Sequence, residues 1–161
     1  MILIAYDGSN DAKAAITEAA SLFPGEAAVV ATVWQRFIDT MARAGTTIGA
    51  PAIVDLDEID GATEGAAKET AEEGAAQARG LGLDARGGTA SVLTTVADAV
   101  IHQARDVNAR AIVIGTRGLT GLKSIVLGSV SSGVLHHSDR PVVVVPSPAV
   151  IEARQKHIAE T

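Results

Sequence analysis

Ile2 to Tyr6 is a continuous apolar run that stops at Asp7-Gly8-Ser9-Asn10, which predicts a buried strand ended by a turn. Ala12, Ala15, Ile16, Ala19, Leu22 and Phe23 then recur at helical spacing up to Pro24-Gly25. Ala27 to Trp34 reads as a second buried strand. Residues 35–63 read as a long irregular connection, with Gly45, Gly49, Pro51 and Gly61 among acidic and small residues. Glu64 to Gly82 is rich in Ala and Glu and predicts a helix that Gly65 and Gly74 weaken. A short strand is expected over 83–88. In the helix expected over 92–107, Val96, Val100, Ile101, Ala104 and Val107 share one face. Ala109 to Gly115 is another apolar strand, and Gly128 to His137 a helix ended before Arg140-Pro141. Val142 to Val145 is the most β-prone run of the chain, and Ala149 to Ala159 a last amphipathic segment.

Apolar strands alternating with helices predict an α/β fold: a five-stranded, mostly parallel sheet covered by helices on both faces. Ligands of such sheets bind at the carboxyl ends of the strands, where the strand order reverses. The candidate segments are therefore Asp7 to Asn10, Val33 to Gln35, Gly88 to Ala90 and Gly115 to Gly121.

Composition narrows the chemistry. The 161 residues contain no cysteine, which excludes disulfides, a thiol nucleophile and Cys-ligated metal centres. A net charge of −6 disfavours nucleic acid or an anionic membrane as partner. No apolar run reaches the roughly 20 residues of a membrane span. The amino end lacks a signal-peptide pattern, so a cytoplasmic protein is expected. Only Tyr6, Phe23, Trp34 and Phe37 are aromatic, so any flat ligand is expected to be held by aliphatic strand ends and backbone hydrogen bonds rather than by stacking.

The densest glycine cluster follows the strand that ends at Ile114. It reads Gly115-Thr116-Arg117-Gly118-Leu119-Thr120-Gly121-Leu122-Lys123, and Gly128-Ser129-Val130-Ser131 comes shortly after. Successive backbone N–H groups in such a loop can form a concavity for an anion. A helix beginning at Gly128-Ser129 adds unpaired N–H groups and a partial positive charge, and Ser129 and Ser131 add hydroxyls. It is neither a P-loop, since no Gly-Lys-Ser/Thr follows, nor the Gly-x-Gly-x-x-Gly dinucleotide fingerprint.

Gly115-x-x-Gly118, nine residues, then Gly128-Ser129 resembles the nucleotide-binding signature of the universal stress protein family. The string from Gly115 through Pro141-Val-Val-Val-Val and the opening Ile-Ala-Tyr-Asp-Gly-Ser are similar to that family as well. The resemblance covers residues 1–147, leaving 148–161 as a C-terminal extension. It implies the adenine nucleotide α-hydrolase-like, Rossmann-like fold and an ATP- or AMP-binding regulatory protein of the stress response. Mg²⁺ would accompany ATP, with no metal site of the protein's own and an unknown protein partner. By the resemblance, Asp7 sits near the nucleoside with Ala5 and Tyr6 beside it, and Val33 contacts adenine by its backbone. Ile114, Gly115 and Gly118 bring backbone to the ribose and phosphates, and Arg117 is placed to pair with a phosphate. Gly128, Ser129, Val130 and Ser131 hold the phosphate tail. Dimers through the last strand, Val142, Val143, Val144 and Val145, are also implied.

Plainer readings stand beside these. Asp7 is also a turn and helix-cap residue type. The valine run fits an interior strand as well as an edge strand that pairs with a second copy. His136 and His137 fall in a last helical turn, where a cation is favourable, and Asp55, Asp57, Glu58 and Asp60 look like a solvated loop. Gly133, in mid-helix, is expected to cost about 1 kcal/mol relative to Ala. No general base is evident, so any ATP hydrolysis is expected to be slow. Two other functions compete: an enzyme of a related nucleotide fold, whose motifs are absent, and a dimerising scaffold or adaptor that binds no nucleotide.

Overall fold

The computed structural model describes residues 1–43, 55–92, 94–118 and 127–159. Five strands, β1 (Ile2–Ala5), β2 (Ala27–Trp34), β3 (Asp84–Ser91), β4 (Ile112–Gly115) and β5 (Val142–Val145), form one sheet in the order β3-β2-β1-β4-β5. All its pairings are parallel. The helices are α1 (Asn10–Leu22), α2 (Phe37–Arg43), α3 (Leu56–Gly80), α4 (Val96–Asp106), α5 (Ser129–His137) and α6 (Pro148–Ala159).

Alternation along the strands sorts side chains onto two faces. Ile2, Ile4, Tyr6, Ala28 and Val30 pack with Ala15, Ile16 and Ala19 of α1 and Ala75 and Ala78 of α3. Leu3, Val29, Ala31, Ile112 and Ile114 pack with Val100, Ile101 and Ala104 of α4 and Val134 of α5. The chain moves outward from β1 through β2 to β3, then returns to place β4 on the other side of β1. The strand order therefore reverses between β1 and β4, and the turns after these two strands face a common crevice.

With so few aromatic residues, close approach replaces bulk. A Cβ on Gly74 of α3 would lie 2.8 Å from Tyr6 Cδ1 and from Val30 Cγ1, so this helix rests directly on the sheet. Gly133 has the same reason to be glycine: its Cβ would meet Ala97 Cβ of α4 at 2.8 Å. The packing of α4 on α5 thus offsets the loss of helix propensity that the sequence suggested.

The connection read as irregular over 35–63 differs most. Residues 37–43 form α2, and α3 begins at Leu56 rather than at Glu64. Asp55 is its N-cap, its side chain accepting from the N–H groups of Asp57 and Glu58 at 3.1 and 3.2 Å, and these two acids sit favourably in the first turn. A Cβ on Gly61 or Gly65 would meet nothing within 4 Å, so these two glycines mark open space beside the helix rather than a loop. Asp60 is not a solvated loop residue either, because its Oδ1 accepts from Phe37 N at 2.7 Å and ties α2 to α3. The expected strand over 83–88 runs to Ser91, since β2 pairs along its whole length from Ala27 with Asp84 to Trp34 with Ser91. Gly45, Gly49 and Pro51 lie outside the described residues. Of the two readings of the valine run, the edge position holds: β5 pairs with β4 alone among the described strands.

Tyr6 lies 3% exposed between β1 and α3 and donates its phenol hydrogen to Glu73 Oε1 at 3.0 Å. Burial first, then the Glu73 hydrogen bond and the charges of Glu73 and Asp7, push its pKa up from 10.0 to about 12. Between these values the unfolded phenol ionises and the folded one does not. The stabilisation is therefore complete below pH 10 and is lost as pH rises toward 12, by about 2 kcal/mol. Denaturant unfolding across this interval should show the decline in the unaltered protein, and a smaller one in Tyr6→Phe.

Candidate functional site

The turn after β1 is built by its own side chains. Gly8 adopts φ +80°, a conformation that suits glycine. Asp7 Oδ1 accepts from Ser9 N at 3.0 Å, and Ser9 Oγ accepts from Ala12 N at 3.2 Å. Ser9 is thus the cap of α1, while Asp7 closes the turn and presents its carboxylate at the crevice.

A cavity of about 490 Å³ opens at the carboxyl ends of β1 and β2. Its floor is Asp7, Thr32 and Val33, and α3 contributes Thr63, Ala66, Ala67 and Thr70. Trp34 and Phe37 also line it, so two of the four aromatic residues stand where the sequence led us to expect only aliphatic ones. Folding of 37–43 into α2 brings Phe37 there, and that helix lay hidden in the apparently irregular stretch.

On the other side of Asp7 lies the turn after β4. A Cβ on Gly118 would fall 2.6 Å from Asp7 Oδ2, so Gly118 backbone rests against this carboxylate. Gly115 is glycine for a different reason: its Cβ would fall 2.7–2.8 Å from the carbonyl carbon, Cβ and oxygen of Asp11 in α1. Thr116 is buried, and its Oγ1 donates to Asp11 Oδ2 at 2.6 Å. Arg117, partly buried, brings Nε to 3.8 Å from the same Oδ2. Thr116 O accepts from Gly128 N at 2.8 Å and from Ser131 Oγ at 2.9 Å.

These contacts fix the start of α5. Its N-cap is Gly128, with no side-chain cap, whereas α1, α3 and α4 are capped by Ser9, Asp55 and Thr95. The first intrahelical bond runs from Ser132 N to Gly128 O, so the N–H groups of Ser129, Val130 and Ser131 precede it. Ser129 is exposed, and Val130 is half-buried. Ser131 is buried, and its hydroxyl also lies 3.0 Å from Gly128 O, so its single proton is committed to backbone carbonyls. The hydroxyl proton is thus spent within the protein, whereas the N–H of Ser131 precedes the first helical bond.

Ala5 and Ile114 are core residues of the strand ends, half-buried and buried. Tyr6 turns its ring to the α1–α3 face; its N–H donates to Ala31 O and its carbonyl accepts from Thr32 Oγ1 at 2.9 Å. Gly121 and Lys123 lie outside the described residues. Gly88 and Ala90, on edge strand β3, fall away from this crevice. Among the described residues no three His, Asp or Glu side chains gather as metal ligands, and no helix is long and apolar enough to cross a membrane. Asp11 and Thr32 were missed by sequence reasoning, and Thr116 fell in a candidate segment without its bond to Asp11 being foreseen. Asp11 lies in the first turn of α1, but nothing in the sequence tells that it faces β4.

A profile of the universal stress protein family matches residues 1–146. The chain belongs to this family. A universal stress protein of Synechocystis sp. is 38% identical over 68 residues, a match that spans 42% of this chain and 63% of that protein. The universal stress protein fold extends to solved structures. Hypothetical protein MJ0577 superposes with a TM-score of 0.70 at 22% identity, over 90% of this chain and 94% of its own. The Archaeoglobus fulgidus universal stress protein in complex with dAMP gives 0.53 at 23% identity, over 89% and 95%. A universal stress protein family protein of Arabidopsis thaliana with AMP bound gives 0.56 at 14% identity, over 92% and 92%. The fold is accordingly the adenine nucleotide α-hydrolase-like one.

Proposed function

We propose that the protein binds an adenine nucleotide, AMP or ATP, in the crevice between β1 and β4 and acts as a nucleotide-responsive regulator of the stress response. The observation that carries this reading is the position of Asp7. It lines the 490 Å³ cavity on one side and meets Gly118 on the other, joining a pocket for a base to a loop for phosphates. The bound dAMP and AMP of the Archaeoglobus and Arabidopsis proteins support the same ligand class.

In this reading the base enters the cavity beside Val33, against the rings of Trp34 and Phe37. Asp7 accepts from a ribose hydroxyl. Gly118 lets the chain pass close to the sugar, and Ser129, Val130 and Ser131 present N–H groups to phosphate at the start of α5. A chain of net charge −6 thereby holds an anion with local dipoles rather than with its overall field. Mg²⁺, when ATP is bound, would be held by phosphate oxygens and water. Val142 to Val145, at the sheet edge, is the surface proposed to pair with a second copy, which would cover an apolar edge. The proposed location is the cytoplasm. The domain is taken as residues 1–147, with 148–161 as an extension.

Native mass spectrometry of the purified protein tests the ligand. A retained mass matching AMP or ATP, released on denaturation, is the expected result. Retention of a different ligand at one per chain, displaceable by neither nucleotide, would count against the reading.

A further inference from the structure

We propose that Asp11 is the positioning residue of the phosphate-binding segment, acting through Thr116. Its role presupposes the nucleotide reading above and adds to it what holds the anion-facing end of α5 in place. Asp11 is 7% exposed, an unusual place for a carboxylate without a structural duty. Its Oδ2 accepts from Thr116 Oγ1 at 2.6 Å and lies 3.8 Å from Arg117 Nε. Thr116 in turn receives Gly128 N and Ser131 Oγ on its carbonyl, at 2.8 and 2.9 Å.

One residue therefore links the carboxylate to both ends of the helix start. Fixing Thr116 fixes the carbonyl that orients Gly128 and Ser131, and hence the direction of the N–H groups between them. The absent Cβ of Gly115 completes the arrangement, because it lets Asp11 backbone come within 2.7 Å of where that atom would stand. The cavity beside Val33 and Trp34 is not touched by this linkage, since its lining comes from β1, β2, α2, α3 and their turns. Losing Asp11 should therefore loosen the phosphate end of the site and leave the base end intact.

The test is a comparison of AMP with adenosine, which share the base and ribose and differ in the phosphate. In Asp11→Ala, AMP affinity should fall about tenfold while adenosine affinity stays within about twofold. The hydrogen bond from Thr116 falls on a single oxygen, which an asparagine carbonyl can replace as acceptor, so Asp11→Asn should recover most of the AMP affinity. Thr116→Val, which removes the hydroxyl and keeps the shape, should repeat the AMP-selective loss if Asp11→Ala folds poorly. Equal losses for AMP and adenosine would show a merely structural role and overturn the proposal. So would an Asp11→Ala protein that binds AMP as the unaltered chain does. Absence of AMP binding by the unaltered chain would overturn the nucleotide reading itself, and is told apart because it needs no variant.

Discussion

Gly118→Val is expected to weaken AMP binding by about 30-fold or more, the loss of one to two charge-assisted hydrogen bonds. A bulky side chain in a phosphate loop suggests a clash with the ligand itself. The structure puts the collision on the protein instead: the first carbon of the new side chain would stand 2.6 Å from Asp7 Oδ2. Asp7 is held by Ser9 N, so its carboxylate has little room to withdraw, and the loop must lift away from the crevice. Either response displaces a group proposed to touch the ribose. Gly118 itself is exposed, so the fold should tolerate the change with little loss of thermal stability. Calorimetric titration of AMP into the variant, beside its melting curve, checks both halves. An affinity within twofold of the unaltered protein would remove Gly118 and Asp7 from the site.

Gly115→Ala should act on stability rather than on the ligand alone. The added methyl would stand 2.7–2.8 Å from three atoms of Asp11, two of them backbone, in a wholly buried position. Backbone cannot rotate aside as a side-chain tip can, so α1 must move off β4 or the strand must bend. Overpacking of this kind costs typically 1–3 kcal/mol, and about 2 kcal/mol would lower the melting temperature by roughly 4–8 °C. Gly65→Ala supplies the contrast. It lies in α3 with nothing within 4 Å of the new atom, so the same substitution should stabilise the protein by up to about 1 kcal/mol through helix propensity. Thermal unfolding of the two variants should shift in opposite directions. A Gly115→Ala protein as stable as the unaltered one would contradict the close contact of β4 with α1.

The parallel sheet was legible because its strands are continuous apolar runs separated by helical periodicity, and this pattern has few other solutions. The crevice was legible for a related reason. Asp7, Gly115, Gly118 and Gly128 all sit at or just past strand ends or at a helix start, where short-range punctuation carries positional meaning. Two kinds of feature were not legible. Gly61 looked like loop punctuation and Gly74 like a mere weakness of its helix, because sequence alone does not tell open space at the first from a close approach at the second. Partners distant in the chain were the other. Asp11 meets Thr116 across 105 residues, and Phe37 reaches the cavity through a helix that the glycines around it had obscured. Ser131 shows the same limit at the level of one atom, since its residue type suggests a donor while its buried contacts spend the hydroxyl internally.

The central claim is that the β1–β4 crevice takes an adenine nucleotide, and direct titration tests it most closely. The protein is unfolded to strip any retained ligand, refolded, and titrated by calorimetry with AMP, ATP and, as controls, GMP and inorganic phosphate. Saturable binding of AMP or ATP at one site per chain, with GMP and phosphate much weaker, is the predicted result. No saturable binding of either adenine nucleotide up to millimolar concentration, by a refolded protein with its native melting curve, would contradict it.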